Sequence, residues 1–138
     1  MTFKAEHDTK FTLQFAFVTV CAAVTLYGGL FMGNILALFI AIPLTITAAV
    51  SGMQLYKTAY TLGDSLLEAK SGISRVVVEY KDITLVTDQK DTPADGYVPL
   101  ATSARKLYVV YTQDGKSYRM ELSPRDREGF IKALGEKL

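Results

Sequence analysis

Forty-six consecutive residues, Phe11 to Tyr56, contain no Asp, Glu, Lys, Arg or His. As one straight helix that run would extend about 69 Å at ~1.5 Å per residue. A bilayer's hydrocarbon core is only ~30 Å thick. The run is therefore too long for one crossing and about right for two. Gly28-Gly29 and Gly33-Asn34 supply the break, which places one helix at about Thr12–Leu30 and the next at about Ile35–Met53. The short connection makes them antiparallel neighbours. A soluble hairpin of this kind would need cover on every side, and the rest of the chain is too short and too amphipathic to give it. A cleaved signal peptide has a shorter apolar region with no second one behind it.

The remaining residues divide the chain further. Residues 1–10 read as a flexible N-terminal tail, 11–56 as the transmembrane hairpin and 57–138 as a separate soluble domain. From Lys57 onward there are 13 Lys and Arg against 12 Asp and Glu. That near-neutral domain has no basic field to attract nucleic acid. Lys4 and Lys10 precede the first helix and Lys57 and Lys70 follow the second, while the hairpin tip is uncharged. Positive residues flanking membrane helices stay on the cytoplasmic side. Both termini and the soluble domain are thus expected on the cytoplasmic face of a plasma membrane.

Ala37, Ala41, Thr45, Ala48 and Gly52 recur at helical spacing and form a small-residue packing face on the second helix. Small residues let membrane helices approach closely. The face can serve the first helix of the same chain or a second copy, so a homo-oligomer, structural or channel-like, is one reading. Pro43 is expected to kink this helix. Cys21 is the one cysteine and lies within the apolar run. It reads as a small apolar filler.

Beyond Lys57 the pattern changes to short runs with period two. Strands are expected at Ala59–Leu62, Leu66–Lys70, Ser74–Tyr80, Thr84–Thr87, Tyr97–Leu100, Leu107–Thr112 and Ser117–Leu122. Asp114-Gly115 between two such runs is a hairpin turn signal. Ser71-Gly72 marks another turn, and Asp91–Gly96 reads as a loop. A final helix is expected with Ser123 as N-cap and Pro124 at its first position. Phe130, Ile131, Leu134 and Leu138 would then form its apolar stripe. The fold class is α+β: the helical hairpin, then a small curled sheet or barrel capped by a C-terminal helix.

Several segments carry a family resemblance. Tyr60-Thr61-Leu62 with Leu66, the Ser71-Gly72 turn, Asp82-Ile83-Thr84, and Arg105-Lys106-Leu107 through Tyr111 appear in that order. Leu122-Ser123-Pro124, Asp126, Phe130-Ile131 and Leu134 close the domain. Over about Ala59 to Leu134 this resembles the YyaB-like family of bacterial pleckstrin-homology (PH-like) domains. The resemblance implies a PH-like fold behind two membrane helices in a bacterial protein. It implies little about activity, since fold does not transfer function.

Chemistry is sparse. His7 is the sole imidazole, and no base stands ready to activate a serine. Asp88, Asp91 and Asp95 lack the Gly and terminal Glu of a calcium loop. No cofactor, metal or catalytic residue is expected. Lys70, Arg75 and Lys81 are the candidate contacts for anionic lipid headgroups, with Glu68 and Glu79 among them. The expected role is a membrane-anchored, non-catalytic interaction or sensing module. Its partners would be the bilayer and an unidentified protein, reached through an exposed sheet edge or the Asp91–Gly96 loop.

Overall fold

The computed structural model describes residues 1–138. Helix α1 spans Thr9–Phe31 and α2 spans Ile35–Tyr56. Their lengths, about 35 and 33 Å at ~1.5 Å per residue, are enough to cross a membrane, and so is their apolar composition. The break is where the glycines put it. Gly33 takes a positive φ of 67°, and Asn34 caps α2 by accepting from the Ala37 N–H at 3.2 Å. Close approach of the helices depends on Gly29. A Cβ there would lie 2.5 Å from the Leu38 side chain. Outward side chains such as Phe17, Leu36 and Phe39 remain about 70% exposed. α2 runs unbroken through Pro43.

The sheet domain has eight strands in two four-stranded sheets. The first is ordered β1-β2-β3-β4, from β1 (Thr2–Lys4), β2 (Ala59–Leu62), β3 (Leu66–Ser71) and β4 (Ser74–Glu79). The second is ordered β5-β7-β8-β6, from β5 (Ile83–Thr87), β6 (Gly96–Pro99), β7 (Leu107–Gln113) and β8 (Lys116–Leu122). Seven of the eight lie where the period-two runs predict them. Tyr80 leaves its expected strand for a short 3-10 turn, Tyr80–Asp82, between the sheets. Asp114 and Gly115 both adopt positive φ, the conformation a two-residue hairpin requires. One core joins both sheets and the terminal helix. It includes Tyr60, Leu67, Val109, Met120, Leu122, Phe130 and Leu134, each at most 1% exposed.

The first correction concerns the N-terminus. Residues 1–10 are not a free tail. Thr2, Phe3 and Lys4 pair antiparallel with Thr61, Tyr60 and Ala59. The Met1 ammonium donates to the Leu62 carbonyl at 2.7 Å. Phe3 is buried with its ring edge-on to Phe130, 5.2 Å between centroids. Glu6 N–H donates to the Ser123 carbonyl at 2.7 Å, and Asp8 accepts from Ser103 and the Ala104 N–H. The physical reason is an otherwise open edge: β2 needs a partner, and the residues entering α1 lie beside it.

The second correction concerns the terminal helix. It spans Arg127–Gly135 as α3, and its N-cap is Asp126, whose carboxylate accepts from Gly129 N–H at 3.0 Å. Ser123 is fully buried instead. Its N–H donates to the Tyr60 hydroxyl at 3.0 Å, and its Oγ accepts from Thr102 N–H at 2.9 Å. Tyr60 in turn donates to the Leu100 carbonyl at 3.0 Å. Burial raises the Tyr60 pKa, which keeps the phenol a donor. Pro124 bridges to Ala5. The serine hydroxyl closes a buried polar node that joins three chain segments.

Candidate functional site

The hairpin and the domain meet directly. Only Lys57 and Thr58 separate α2 from β2, and four residues separate β1 from α1. Thr58 Oγ1 lies 3.0 Å from Ser71 Oγ and also bonds the Gln54 carbonyl. Gly72, with φ 60°, brings the β3–β4 turn against Gln54 in the last turns of α2. Both strands that lead to the helices belong to one sheet and pair with each other, so the domain is held against the hairpin base.

The three cations predicted as headgroup contacts are not brought together. Arg75 is paired to Glu68 at 2.7 Å, and Lys81 to Glu79 at 2.7 Å. Donation of its ammonium hydrogen bond to the Glu79 carboxylate raises the Lys81 pKa. Lys70 and Arg75 face each other near the Ser71–Gly72 turn, while Lys81 follows the far end of β4. Lys70 alone joins a different group. It lines a groove of about 680 Å³ at the hairpin base with Lys4, His7, Lys57 and Arg125.

The residues of the small-residue face occupy two environments. Ala41 is 1% exposed, and Ala37 approaches Gly28 of α1. A Cβ at Gly52 would lie 3.2 Å from the Phe15 ring. Ala48 is half-buried, and Thr45 is exposed with its hydroxyl donating to the Ala41 carbonyl at 2.8 Å.

The loop after β5 is fastened rather than free. Arg119 is 9% exposed, with its guanidinium 4.4 Å from the Tyr97 ring centroid and 5.0 Å from that of Tyr108. Nη1 donates to the Lys90 and Thr92 carbonyls. Nη2 lies 3.7 Å from Glu121, which also receives Lys106 Nζ. Asp95 bonds Ser117 through both its backbone N–H and its carboxylate. From sequence Arg119 is an ordinary outward residue of an alternating strand. Apart from Glu121 two positions on, nothing local marks it, because its ring and carbonyl partners come from β6, β7 and the loop.

A second surface flanks β5, which pairs with β7 on one side and with no strand on the other. Between β5, the start of β7 and α3 lies an apolar trench of about 350 Å³, lined by Val86, Leu107, Ile131 and Leu134. Arg127 and Asp88 pair at 3.5 Å at its rim. A second cavity of about 500 Å³ shares Val86 and Leu138 with it and is lined by Ile83, Thr84 and Leu85 of β5 and by Tyr80. Leu85, Ile131 and Leu138 are 45%, 40% and 60% exposed. Unpaired backbone next to apolar pockets is the arrangement that accepts an added peptide strand. Among the other edge strands, β4 displays Arg75 and Glu79, charges that discourage pairing. The sequence names these apolar residues as helix stripe and strand, but only the packing of α3 beside β5 makes them one trench.

No three His, Cys, Asp or Glu side chains gather as a metal site would require. Comparison with known families adds one finding: a family model described as bacterial PH domain matches residues 58–138. No curated protein and no solved structure matches the chain.

Proposed function

The chain belongs to the bacterial PH domain family, and on that premise we propose that it is a membrane-anchored, non-catalytic interaction module. In this reading α1 and α2 cross the bilayer. The PH domain and both termini face the cytoplasm, on the side favoured by Lys4, Lys10, Lys57 and Lys70. The closing segment Leu122-Ser123-Pro124 to Leu134 supports membership of the YyaB-like branch. Large apolar side chains left uncovered around both helices support insertion.

The partner is a protein that contributes an extended segment. It adds to the open edge of β5 and drops alternate apolar side chains into the trench between β5 and α3. The observation that carries this is that β5, a strand paired on one side alone, also lines two apolar cavities beside α3. The competing reading is a channel-like oligomer built through the hairpin. Ala41 is already covered within the chain, which favours the module.

A photo-crosslinking residue at Leu85, in native membranes, is expected to give one discrete adduct. The same residue at Lys116 on the far hairpin should give none. Ile131→Glu, which charges the trench wall, is expected to abolish the Leu85 adduct. Identical adducts at both positions, or an adduct indifferent to Ile131→Glu, would remove the peptide-binding reading.

A further inference from the structure

The groove at the hairpin base has an ordered charge pattern. Lys4 of β1 is registered with Ala59 of β2, and Ala59 with Lys70 of β3. Registered residues project to the same face of a sheet, and strands lie ~4.8 Å apart. Lys4 and Lys70 therefore stand about 10 Å apart on one rung, with the small Ala59 between them. Arg125 lies beyond β1 on the same row, its N–H donating to the Lys4 carbonyl at 2.9 Å. Lys57 enters from the end of α2, and His7 from the segment leading to α1.

No carboxylate lines this groove. None of the six ion pairs in the chain includes Lys4, Lys57, Lys70 or Arg125. Elsewhere on the domain Arg75, Lys81, Lys106, Arg119 and Arg127 each have an acidic partner. Converging cations repel one another, so an unneutralised set is suited to an anion from outside.

Position selects the anion's source. The groove is also lined by Leu55 and Tyr56, the last residues of α2, and by Thr12 in the first turns of α1. Helices of about 33–35 Å fill a ~30 Å core. Their ends then lie at headgroup depth, and the cationic rung begins one or two residues beyond. Ile73, 77% exposed in the turn that abuts Gln54, places an apolar side chain at the same level. We propose that this groove seats the phosphate of an anionic phospholipid from the leaflet in which the hairpin stands. Lys4, Lys70, Lys57 and Arg125 are its ligands. The bound lipid would neutralise the rung and fix the tilt of the domain on the membrane. The assignment rests on the membrane-anchored reading above and concerns a face different from the β5 trench.

The test uses the full chain in nanodiscs of equal phosphatidylglycerol and phosphatidylcholine, with retained lipid counted by native mass spectrometry. The wild type is expected to retain phosphatidylglycerol selectively. Each cation removed should weaken that preference about fivefold, so Lys4→Gln with Lys70→Gln should lower it about 25-fold. Lys4→Arg with Lys70→Arg should keep it. Lys116→Gln with Lys137→Gln, at exposed sites outside the groove, should leave it unchanged. Equal retention of both lipids, an equal loss in the Lys116/Lys137 variant, or displacement of the lipid by matched inorganic phosphate would each overturn the proposal. Failure of the chain to enter nanodiscs would overturn the membrane reading with it. Entry without lipid preference would overturn the lipid site alone.

Discussion

Phe3→Asp is expected to unfold the sheet domain, although it alters the third residue of the chain. Phe3 is 7% exposed, sits in the core shared by both sheets, and packs its ring on Phe130. A carboxylate there would be buried with no cation in contact. Burying an unpaired charge costs several kcal/mol unless the group takes up a proton, against a total stability of about 5–15 kcal/mol for a typical domain. The loss should also free β1 from β2 and so release the start of α1. Hydrogen exchange of the full chain in micelles should show protection collapsing across β1, β2 and β3 and then through the core. A free N-terminal tail would tolerate the change silently, so unchanged protection would contradict the pairing of β1 with β2.

Phe130→Ala is expected to cost about 3–5 kcal/mol, the range for emptying a large buried aromatic site. Phe130 is fully buried and meets two rings edge-on, Phe3 at 5.2 Å and Tyr60 at 6.1 Å. It is the point where α3 is nailed to the first sheet. Removing it should lower the urea midpoint of the domain and loosen the floor of the β5 trench, since Ile131 and Leu134 ride on the same helix. Because Phe3 and Phe130 touch, Phe3→Ala and Phe130→Ala should cost less together than the sum of the two. Strict additivity would mean that the N-terminal strand and the terminal helix do not share one core.

These two residues show what could be read from the chain and what could not. Phe130 belongs to a stripe with Ile131 and Leu134, a periodic signal that identifies a buried helical face. The helical hairpin and seven strands were legible for the same reason: charge-free length for one, period two and turn residues for the others. Phe3 has no such pattern. Three residues cannot display a period, and β1 exists because β2 offers it an edge. Ser123-Pro124 looked like a helix start because serine and proline favour that position. Tertiary bonding to Tyr60 and Thr102 took the serine instead, and the helix began at Asp126.

The candidate sites were less legible than the fold. Lys70 is legible as a cation close behind the second apolar helix, but its company is not. Lys4, Lys57 and Arg125 are separated from it by up to 66 positions and meet only through strand pairing and the β8–α3 link. Arg75 and Lys81 looked equivalent to Lys70 and are neutralised by Glu68 and Glu79. Arg119 carries no local signal, because a buried guanidinium between two tyrosines reads, in one dimension, like any outward strand residue.

The most direct test of a twice-crossing hairpin with the domain held at its base is sidedness. Cys21→Ser removes the native thiol. Single cysteines are then introduced by Met32→Cys at the hairpin tip and Lys116→Cys in the domain. Each variant is challenged with a membrane-impermeant maleimide in sealed vesicles of known orientation. Labelling from opposite faces is expected, with the tip reached from outside and the domain only from the cytoplasmic side. Both cysteines labelled from one face would mean that the charge-free stretch does not cross the bilayer.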